Sequence, residues 1–143
     1  MPRMTDDQMA SFLEKPRHAV LLRTNRDGTA HGAPIWFDWN GQYVRMISDA
    51  AAPKVAELER DPRASALVSN DVGEPGCWVR FDGTVVVDRA EDARAFATDL
   101  LAPRYWDLED QRNRELLDQW RAAPQEAFVM LRLEPSRIVS AIT

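Results

Sequence analysis

Two turn dipeptides near the start of the chain constrain its fold more than any other feature of the sequence. Asp27-Gly28 and Asn40-Gly41 are typical of the tight turns of β-hairpins, because glycine adopts positive φ angles without strain. Residues 18–24 and 29–39 flank the first dipeptide, residues 42–48 follow the second, and all three segments are rich in strand-forming residues. Strands joined by such turns run antiparallel, so the sequence predicts an antiparallel sheet rather than a doubly wound parallel one.

Helices are predicted before and between the strands. Thr5 and Gln8 have the spacing of a capping box, which predicts a helix that ends before Pro16. Pro53 suits the first turn of a short helix that runs to Arg60. The other predicted elements, in chain order, are strands at 64–70 and 78–87, the second with a bend at Asp82-Gly83, a helix that opens at Asp88 and runs through 101, a helix at 108–122, and a last strand at 127–133 that residues 138–142 extend.

A chain of 143 residues with this order of elements predicts a single domain over residues 1–143. It has about six short strands joined by hairpins, and its helices are inserted between them rather than alternating one for one, which argues against a doubly wound parallel sheet. Closure into a small antiparallel barrel removes the exposed edges of the sheet, so we predict a mainly β fold with flanking helices.

The composition excludes several classes of protein. The net charge of −5 argues against nucleic acid as a partner. No run of about 18 apolar residues is present, so no membrane span is predicted, and residues 1–7 lack the apolar stretch of a signal peptide. One cysteine cannot form an internal disulfide, which leads us to expect a cytoplasmic location, and two histidines with one cysteine do not supply the usual zinc ligands, so no metal is expected.

Catalysis by side chains is not expected either. The sequence contains no Gly-x-Ser-x-Gly elbow, no Walker loop and no Gly-x-Gly-x-x-Gly fingerprint. His18 and His31 lie on predicted strands without the partners of a catalytic triad, and Cys77 has no CxxC partner. Any chemistry is therefore expected to belong to a bound cofactor.

Three segments could hold such a cofactor, and each also has a purely structural interpretation. The strand Pro34-Ile35-Trp36-Phe37 could lie against a flat ring, or it could simply pack in the core. Lys54, near the start of a helix, could bind a phosphate together with Ser48, or it could pair with Glu57 or Glu59 at the surface. The bulky segment Arg104-Tyr105-Trp106 could line a substrate pocket or fill the core or an interface.

The order of these segments resembles that of the flavin- and deazaflavin-dependent oxidoreductase superfamily, the pyridoxamine-phosphate-oxidase-like split β-barrels. The resemblance covers residues 18–87, about half of the chain, and depends on four motifs in the family's order. These motifs are the strand His31-Gly32-Ala33-Pro34-Ile35-Trp36-Phe37, the strand from Tyr43 to Ser48 after Asn40-Gly41, the helix from Lys54 that ends in Asp61-Pro62-Arg63, and the strand Trp78-Val79-Arg80-Phe81-Asp82-Gly83.

The resemblance implies a six-stranded split barrel, a homodimer, and FMN or the deazaflavin F420 bound where two subunits meet. Carried over by position, Pro34, Ile35, Trp36 and Phe37 would face the cofactor ring. Ile47, Ser48 and Lys54 would meet its phosphate or tail, and Trp78 would lie near the site, from the second subunit. Arg104-Tyr105 weakly matches an Arg-Tyr pair in the family's C-terminal half.

Two functions remain open from the sequence. The first is an F420- or FMN-dependent oxidoreductase that transfers hydride between the cofactor and a small conjugated substrate. The second is a non-catalytic protein that holds a flavin, a haem-like or another planar ligand for storage or sensing. A dimer with an empty groove, in which the aromatic strands form a protein interface, is a third interpretation.

Overall fold

Gly28 and Gly41 adopt the backbone conformation that the sequence predicts. Their φ angles are 86° and 90° in the computed structural model, which describes residues 1–143. Each glycine lies in a tight connection between antiparallel strands, and Asn40 closes the second turn by accepting hydrogen bonds from the backbone of Gln42 and Tyr43. The two hairpins are therefore confirmed.

Seven strands and five α-helical segments make up the chain. The strands are β1 (Ala19–Thr24), β2 (Ala30–Ile35), β3 (Phe37–Trp39), β4 (Val44–Asp49), β5 (Arg63–Ser69), β6 (Cys77–Asp88) and β7 (Phe128–Ile142). The helical segments are α1 (Asp6–Glu14), α2 (Pro53–Arg60), α3 (Ala93–Ala95), α4 (Ala102–Tyr105) and α5 (Gln111–Ala122), with a π-helical segment, Phe96–Leu101, that joins α3 to α4, and a short 3-10 turn, Gln125–Ala127. No helix has the length and hydropathy needed to cross a membrane.

The strands form one antiparallel sheet in the order β2-β1-β5-β6-β7-β4-β3. The first and last strands of this order, β2 and β3, are consecutive in the chain and are separated only by Trp36. The sheet therefore closes on itself through one continuous segment, which confirms an antiparallel barrel with flanking helices. The predicted second strand, 29–39, divides at Trp36, so the sheet has seven strands where six are predicted.

The barrel interior holds the main hydrophobic core. Alternate residues of the strands point inward, among them the fully buried Phe37 and Phe81. Helices α1 and α2 add their own buried residues, Phe12 with Leu13 and Val55 with Leu58. The predicted capping box of α1 and the proline at the start of α2 are both confirmed.

Tyr105 closes the gap that Trp36 creates in the sheet. In the β1–β2 ladder Ala19 pairs with Ile35, so the same register would next bring Arg17 opposite Phe37. The Tyr105 hydroxyl lies between these two backbones instead. It accepts a hydrogen bond from the N–H of Phe37 (3.1 Å) and donates to the carbonyl oxygen of Arg17 (2.7 Å). Burial raises the pKa of this hydroxyl, so it remains a donor at neutral pH.

Two arginines hold the chain segments on either side of this gap. The guanidinium of Arg17 is 7% exposed and donates to the carboxylate of Glu74 (2.8 Å) and to the carbonyl oxygen of Phe12. Arg104 donates to the carbonyl oxygens of Glu14 (2.7 Å) and Leu13 (2.9 Å), which satisfies the free C-terminal end of α1. Both side chains therefore fix the position at which the chain enters β1.

One predicted helix start is wrong. Asp88 ends strand β6, and its side chain binds Arg132 (2.7 Å) and the backbone of Ala90. The helix begins four residues later because Asp92 caps it by accepting from the N–H of Ala95. It also continues past residue 101 to Tyr105, since Pro103 lies in the first turn of α4, where a missing N–H is tolerated.

We expect Tyr105→Phe to lower the free energy of unfolding by about 1–3 kcal/mol, because the buried N–H of Phe37 and the carbonyl of Arg17 lose their partner while the ring is kept. Urea denaturation followed by tryptophan fluorescence measures this change. Tyr43→Phe is the control, since Tyr43 is the only other tyrosine and its hydroxyl forms no hydrogen bond. Equal stability of the two variants would show that the hydroxyl does not support the gap.

Candidate functional site

Trp36, at the point where the barrel closes, belongs to a cluster of aromatic side chains outside the main core. Its ring stacks on Tyr105 with a centroid distance of 4.9 Å and an interplanar angle of 2°. It also contacts Trp106 edge-on at 5.0 Å and Trp120 at 5.8 Å. Trp120 in turn contacts Phe128 at 5.6 Å. These five residues form what we call the aromatic cluster, and each such pair contributes about 0.5–1.5 kcal/mol beyond burial.

A cavity of about 270 Å³ opens beside this cluster, and we call it the aromatic cavity. Its apolar lining comes mainly from Trp36, Trp120, Phe128 and Ile47. Its polar lining comes from one place, the connection from β4 to α2, which contributes Ser48, Asp49 and Lys54. The cavity thus combines aromatic rings with a single cationic side chain.

The ammonium group of Lys54 has no partner in the protein. Glu57, three residues along the helix, pairs with Arg60 at 2.7 Å, and Glu59 pairs with Arg89 at 2.7 Å. The arginine also lowers the pKa of Glu57 by hydrogen bonding to it, which keeps this carboxylate committed to Arg60. The surface-pair interpretation of Lys54 is therefore wrong. A cation at the start of helix α2, whose N-terminal end favours anions, is left available beside the cavity.

The other predicted residues of the first two segments fall into two groups. Trp36, Ile47 and Ser48 line the aromatic cavity with Lys54. Ser48 is buried, and its hydroxyl donates to the carbonyl oxygen of Asp49 at 3.0 Å, so it retains acceptor capacity. The side chains of Ile35 and Phe37 point into the main core, and Pro34 is exposed on the edge strand β2. Whether any of these residues contacts a cofactor stays a prediction.

The residues of the third predicted segment, Arg104-Tyr105-Trp106, also fall into two groups. Trp106 is part of the aromatic cluster, whereas the hydroxyl of Tyr105 and the guanidinium of Arg104 are engaged with backbone groups in the barrel gap and at the end of α1. Trp78 lies on β6 between Ser69 and Ala141, away from the aromatic cavity of its own chain. The structure therefore brings Trp36, Ile47, Ser48 and Lys54 together and leaves Arg104 and Trp78 outside.

Sequence reasoning missed four residues of the aromatic cavity, one of which, Ala52, directly precedes α2. Asp49 follows Ser48 at the end of β4, and Trp120 and Phe128 come from α5 and the start of β7. Asp49 and Phe128 are direct partners in the β4–β7 ladder, although they are far apart in sequence. In the sequence, Trp120 belongs to the apolar face of its predicted helix. That face predicts that Trp120 is buried, but it does not identify the residues against which Trp120 packs.

The arrangement has binding capacity but no catalytic pair of side chains. No histidine or cysteine lines the aromatic cavity, and Asp49 is its only carboxylate. The aromatic walls can hold a planar ring by stacking, and Lys54 can hold a negatively charged group of the same ligand. These donors fit a flavin-type group, which carries a planar ring and a phosphate.

A family model described as pyridoxamine 5'-phosphate oxidase matches residues 5–138 of the chain. No curated protein sequence matches it. Among solved structures, the conserved hypothetical protein Rv2991 from Mycobacterium tuberculosis is similar with a TM-score of 0.77 and 22% sequence identity, over 97% of this chain and 85% of that chain.

Two further solved structures share this fold. An F420 reductase is similar with a TM-score of 0.60 and 20% identity, over 90% of this chain and 93% of that chain. The FAD and heme binding protein from Mycobacterium smegmatis is similar with a TM-score of 0.70 and 20% identity, over 97% of this chain and 71% of that chain. At such identities the structures establish a shared fold, and the family match extends over most of the chain. The chain belongs to the pyridoxamine 5'-phosphate oxidase family of split-barrel proteins.

Proposed function

We propose that this protein is an F420- or FMN-dependent oxidoreductase that transfers hydride between the cofactor and a small conjugated substrate. The observation that carries the proposal is the unpaired ammonium group of Lys54 at the edge of a cavity with aromatic walls. A flavin or deazaflavin supplies the hydride chemistry when bound, which agrees with the lack of a catalytic pair among the side chains. Membership of the family and the likeness to an F420 reductase support the same conclusion.

The residues of the site would bind and orient the cofactor rather than react with it. Trp36, Trp120 and Phe128 would stack against a planar ring, and Lys54 would neutralise its phosphate. The cavity of about 270 Å³ is slightly smaller than the roughly 300 Å³ at which ligand pockets begin. A ligand held here would therefore extend beyond the cavity to the protein surface.

We further propose that the protein is a homodimer whose second subunit covers this surface. The outer face of the sheet carries a row of cross-strand neighbours, in the order Pro34, Val20, Leu67, Arg80 and Val139. Four of these five side chains are apolar and at least partly exposed. The row begins two residues before Trp36, so a partner placed on it would reach the cofactor site, and Trp78 lies on the same outer face.

We also propose a cytoplasmic location for the protein, since the chain has a single cysteine.

The alternative function is storage or sensing of a flavin, haem-like or other planar ligand. Two observations favour it. The aromatic cavity contains no histidine, cysteine or tyrosine hydroxyl that could relay a proton to a substrate, and a FAD and heme binding protein shares the fold. In this case the walls of the cavity would bind the ligand without turnover.

Lys54→Ala is expected to weaken binding of FMN or F420 by about tenfold to a hundredfold, because one charge-assisted contact contributes roughly 1.5–3 kcal/mol. Fluorescence titration of the purified protein measures the dissociation constant. Lys15→Ala is the matched control, since Lys15 is the only other lysine and pairs with Glu74 (2.6 Å). Failure of the wild-type protein to bind either cofactor at about 100 μM would refute the proposed function.

Steady consumption of reduced cofactor on addition of an acceptor distinguishes the two functions. We expect the wild-type protein, mixed anaerobically with reduced F420 or reduced FMN and a panel of conjugated acceptors, to oxidise the cofactor at a rate that depends on the acceptor. Lys54→Ala should lower this rate through weaker cofactor binding. Tight binding with no acceptor-dependent oxidation would instead support storage or sensing.

Val20→Glu is expected to convert the dimer to a monomer, because a carboxylate between the apolar Pro34 and Leu67 would be buried in the interface without a partner. Sedimentation equilibrium measures the mass. Val72→Glu is the control, since Val72 is a fully exposed apolar residue in the loop between β5 and β6. A monomeric wild-type protein would contradict the proposed dimer.

A further inference from the structure

The segment that joins α1 to β1 has no support from regular secondary structure. Residues 15–18 lie outside both elements and form no backbone–backbone hydrogen bond. The same segment borders the gap in the barrel, because the carbonyl oxygen of Arg17 accepts the hydrogen bond of the Tyr105 hydroxyl (2.7 Å). Side chains therefore decide where this acceptor lies.

Glu74 holds the side chain of Arg17 from a distant part of the chain. It lies in the connection from β5 to β6, 57 residues after Arg17. One nitrogen of the guanidinium donates to both carboxylate oxygens of Glu74, at 2.8 and 3.1 Å, and another donates to the carbonyl oxygen of Phe12. The guanidinium carbon also lies 4.1 Å from the centroid of the Phe12 ring. A planar group held on these sides has a fixed orientation.

The carboxylate of Glu74 is charged at neutral pH. Hydrogen bonds from Lys15, from the backbone N–H of Asp71 and from Arg17 lower the pKa of Glu74 to about 2. Lys15 is half exposed, and an ion pair of that kind contributes little. The buried guanidinium of Arg17, by contrast, would lack a counter-charge without Glu74, so this pair determines the path of the segment.

Tyr105 transmits the position of this segment to the aromatic cavity. Its ring lies between Trp36, at a centroid distance of 4.9 Å and an angle of 2°, and His18, at 6.0 Å and 18°. Arg17 supplies the acceptor for the hydroxyl and the next residue supplies the second ring, so displacement of the segment would displace Tyr105. Trp36 stacks on Tyr105 and lines the aromatic cavity, so it would move with it.

We propose that Glu74 is a positioning residue of the candidate site. It orients Arg17, the backbone of Arg17 fixes Tyr105, and Tyr105 holds Trp36 in the orientation with which the aromatic cavity receives a planar ring. This inference rests on the proposed function and extends it, because Glu74 lies outside the motifs that predict the cofactor site. The effect of Glu74 falls on the ring of the ligand, whereas that of Lys54 falls on its phosphate.

The test compares Glu74→Gln with Asp71→Asn. Both changes remove one negative charge from the same loop, but the carboxylate of Asp71 contacts only Lys15 (3.2 Å). A double variant, Arg17→Met with Glu74→Gln, removes the buried charge together with its partner, and it keeps the protein folded where the single change leaves the guanidinium unpaired. Thermal denaturation shows which variants fold.

Fluorine NMR of protein labelled with fluorotryptophan reports the position of Trp36 without any ligand. The chain has five tryptophans, and Trp36→Phe identifies the signal of Trp36. We expect this signal to shift or broaden in Glu74→Gln and in the double variant, and to stay unchanged in Asp71→Asn. The signal of Trp39, which contacts Phe81 at 4.7 Å, should not move in any of them. A Trp36 signal that keeps its wild-type position in the folded variants overturns the proposal.

Binding of ligands with and without a phosphate tests the consequence for the site. FMN is compared with riboflavin, and F420 with its phosphate-free chromophore. We expect loss of Glu74 to weaken binding of both members of a pair by about twofold to tenfold, the affinity that corresponds to one aromatic contact. Lys54→Ala should weaken binding of the phosphate-bearing member alone.

The outcomes separate this inference from the proposed function. Wild-type affinity for the phosphate-free ring in Glu74→Gln and in the double variant overturns the positioning role and leaves the proposed function standing. If the wild-type protein binds neither FMN nor F420, the proposed function fails, and the fluorine signal of Trp36 alone decides whether Glu74 positions it.

Discussion

The structure depends on a single hydroxyl group placed between two backbones. The β1–β2 ladder would continue from Ala19 and Ile35 to Arg17 and Phe37, but the hydroxyl of Tyr105 occupies that position and satisfies both of their backbone groups. Phe37 is therefore free to turn away from β1 and pair with β4 on the other side of the barrel. Trp36, the residue at the turn, is left outside the core and stacks on the same tyrosine. The closure of the barrel and the wall of the candidate site are thus consequences of one interaction.

A second constraint is the pairing of charges around helix α2. Glu57 and Glu59 are the two carboxylates of helix α2, and each is bound by an arginine. Arginine binds a carboxylate with two parallel donors, whereas lysine offers a point charge on a flexible stem, so arginine competes well for such partners. Of the 18 basic residues, 16 are arginine. Lys54 therefore differs from most of the other cations of the protein, because its side chain is an ammonium group and has no carboxylate partner. It lies at the edge of the aromatic cavity.

The lining of the aromatic cavity agrees with a protein whose side chains bind and orient a ligand rather than react with it. Trp36, Trp120 and Phe128 offer surfaces for stacking, and Lys54 offers charge. Asp49, at the end of β4, is the single carboxylate in the aromatic cavity and forms no ion pair with Lys54. Rigid strands and packed aromatic rings hold these groups in place before a ligand arrives, which lowers the cost of binding. Such a site suits a family whose chemistry belongs to its cofactors.

The sequence by itself determined the parts of this protein that depend on near neighbours. The glycines of the two hairpins, the capping box at Thr5 and the proline that opens α2 act within a few residues, and their structures follow from local backbone geometry. The strand that carries Trp36 and the position of Lys54 at a helix start were accessible for the same reason. The tertiary structure decided which groups meet across the fold. Phe128 pairs with Asp49 across the β4–β7 ladder, Arg104 binds the end of α1, and the hydroxyl of Tyr105 lies in the barrel gap. Glu57 and Glu59 each form an ion pair with an arginine. Pairing between segments far apart in the chain depends on the packing of the whole barrel, and no local pattern encodes it.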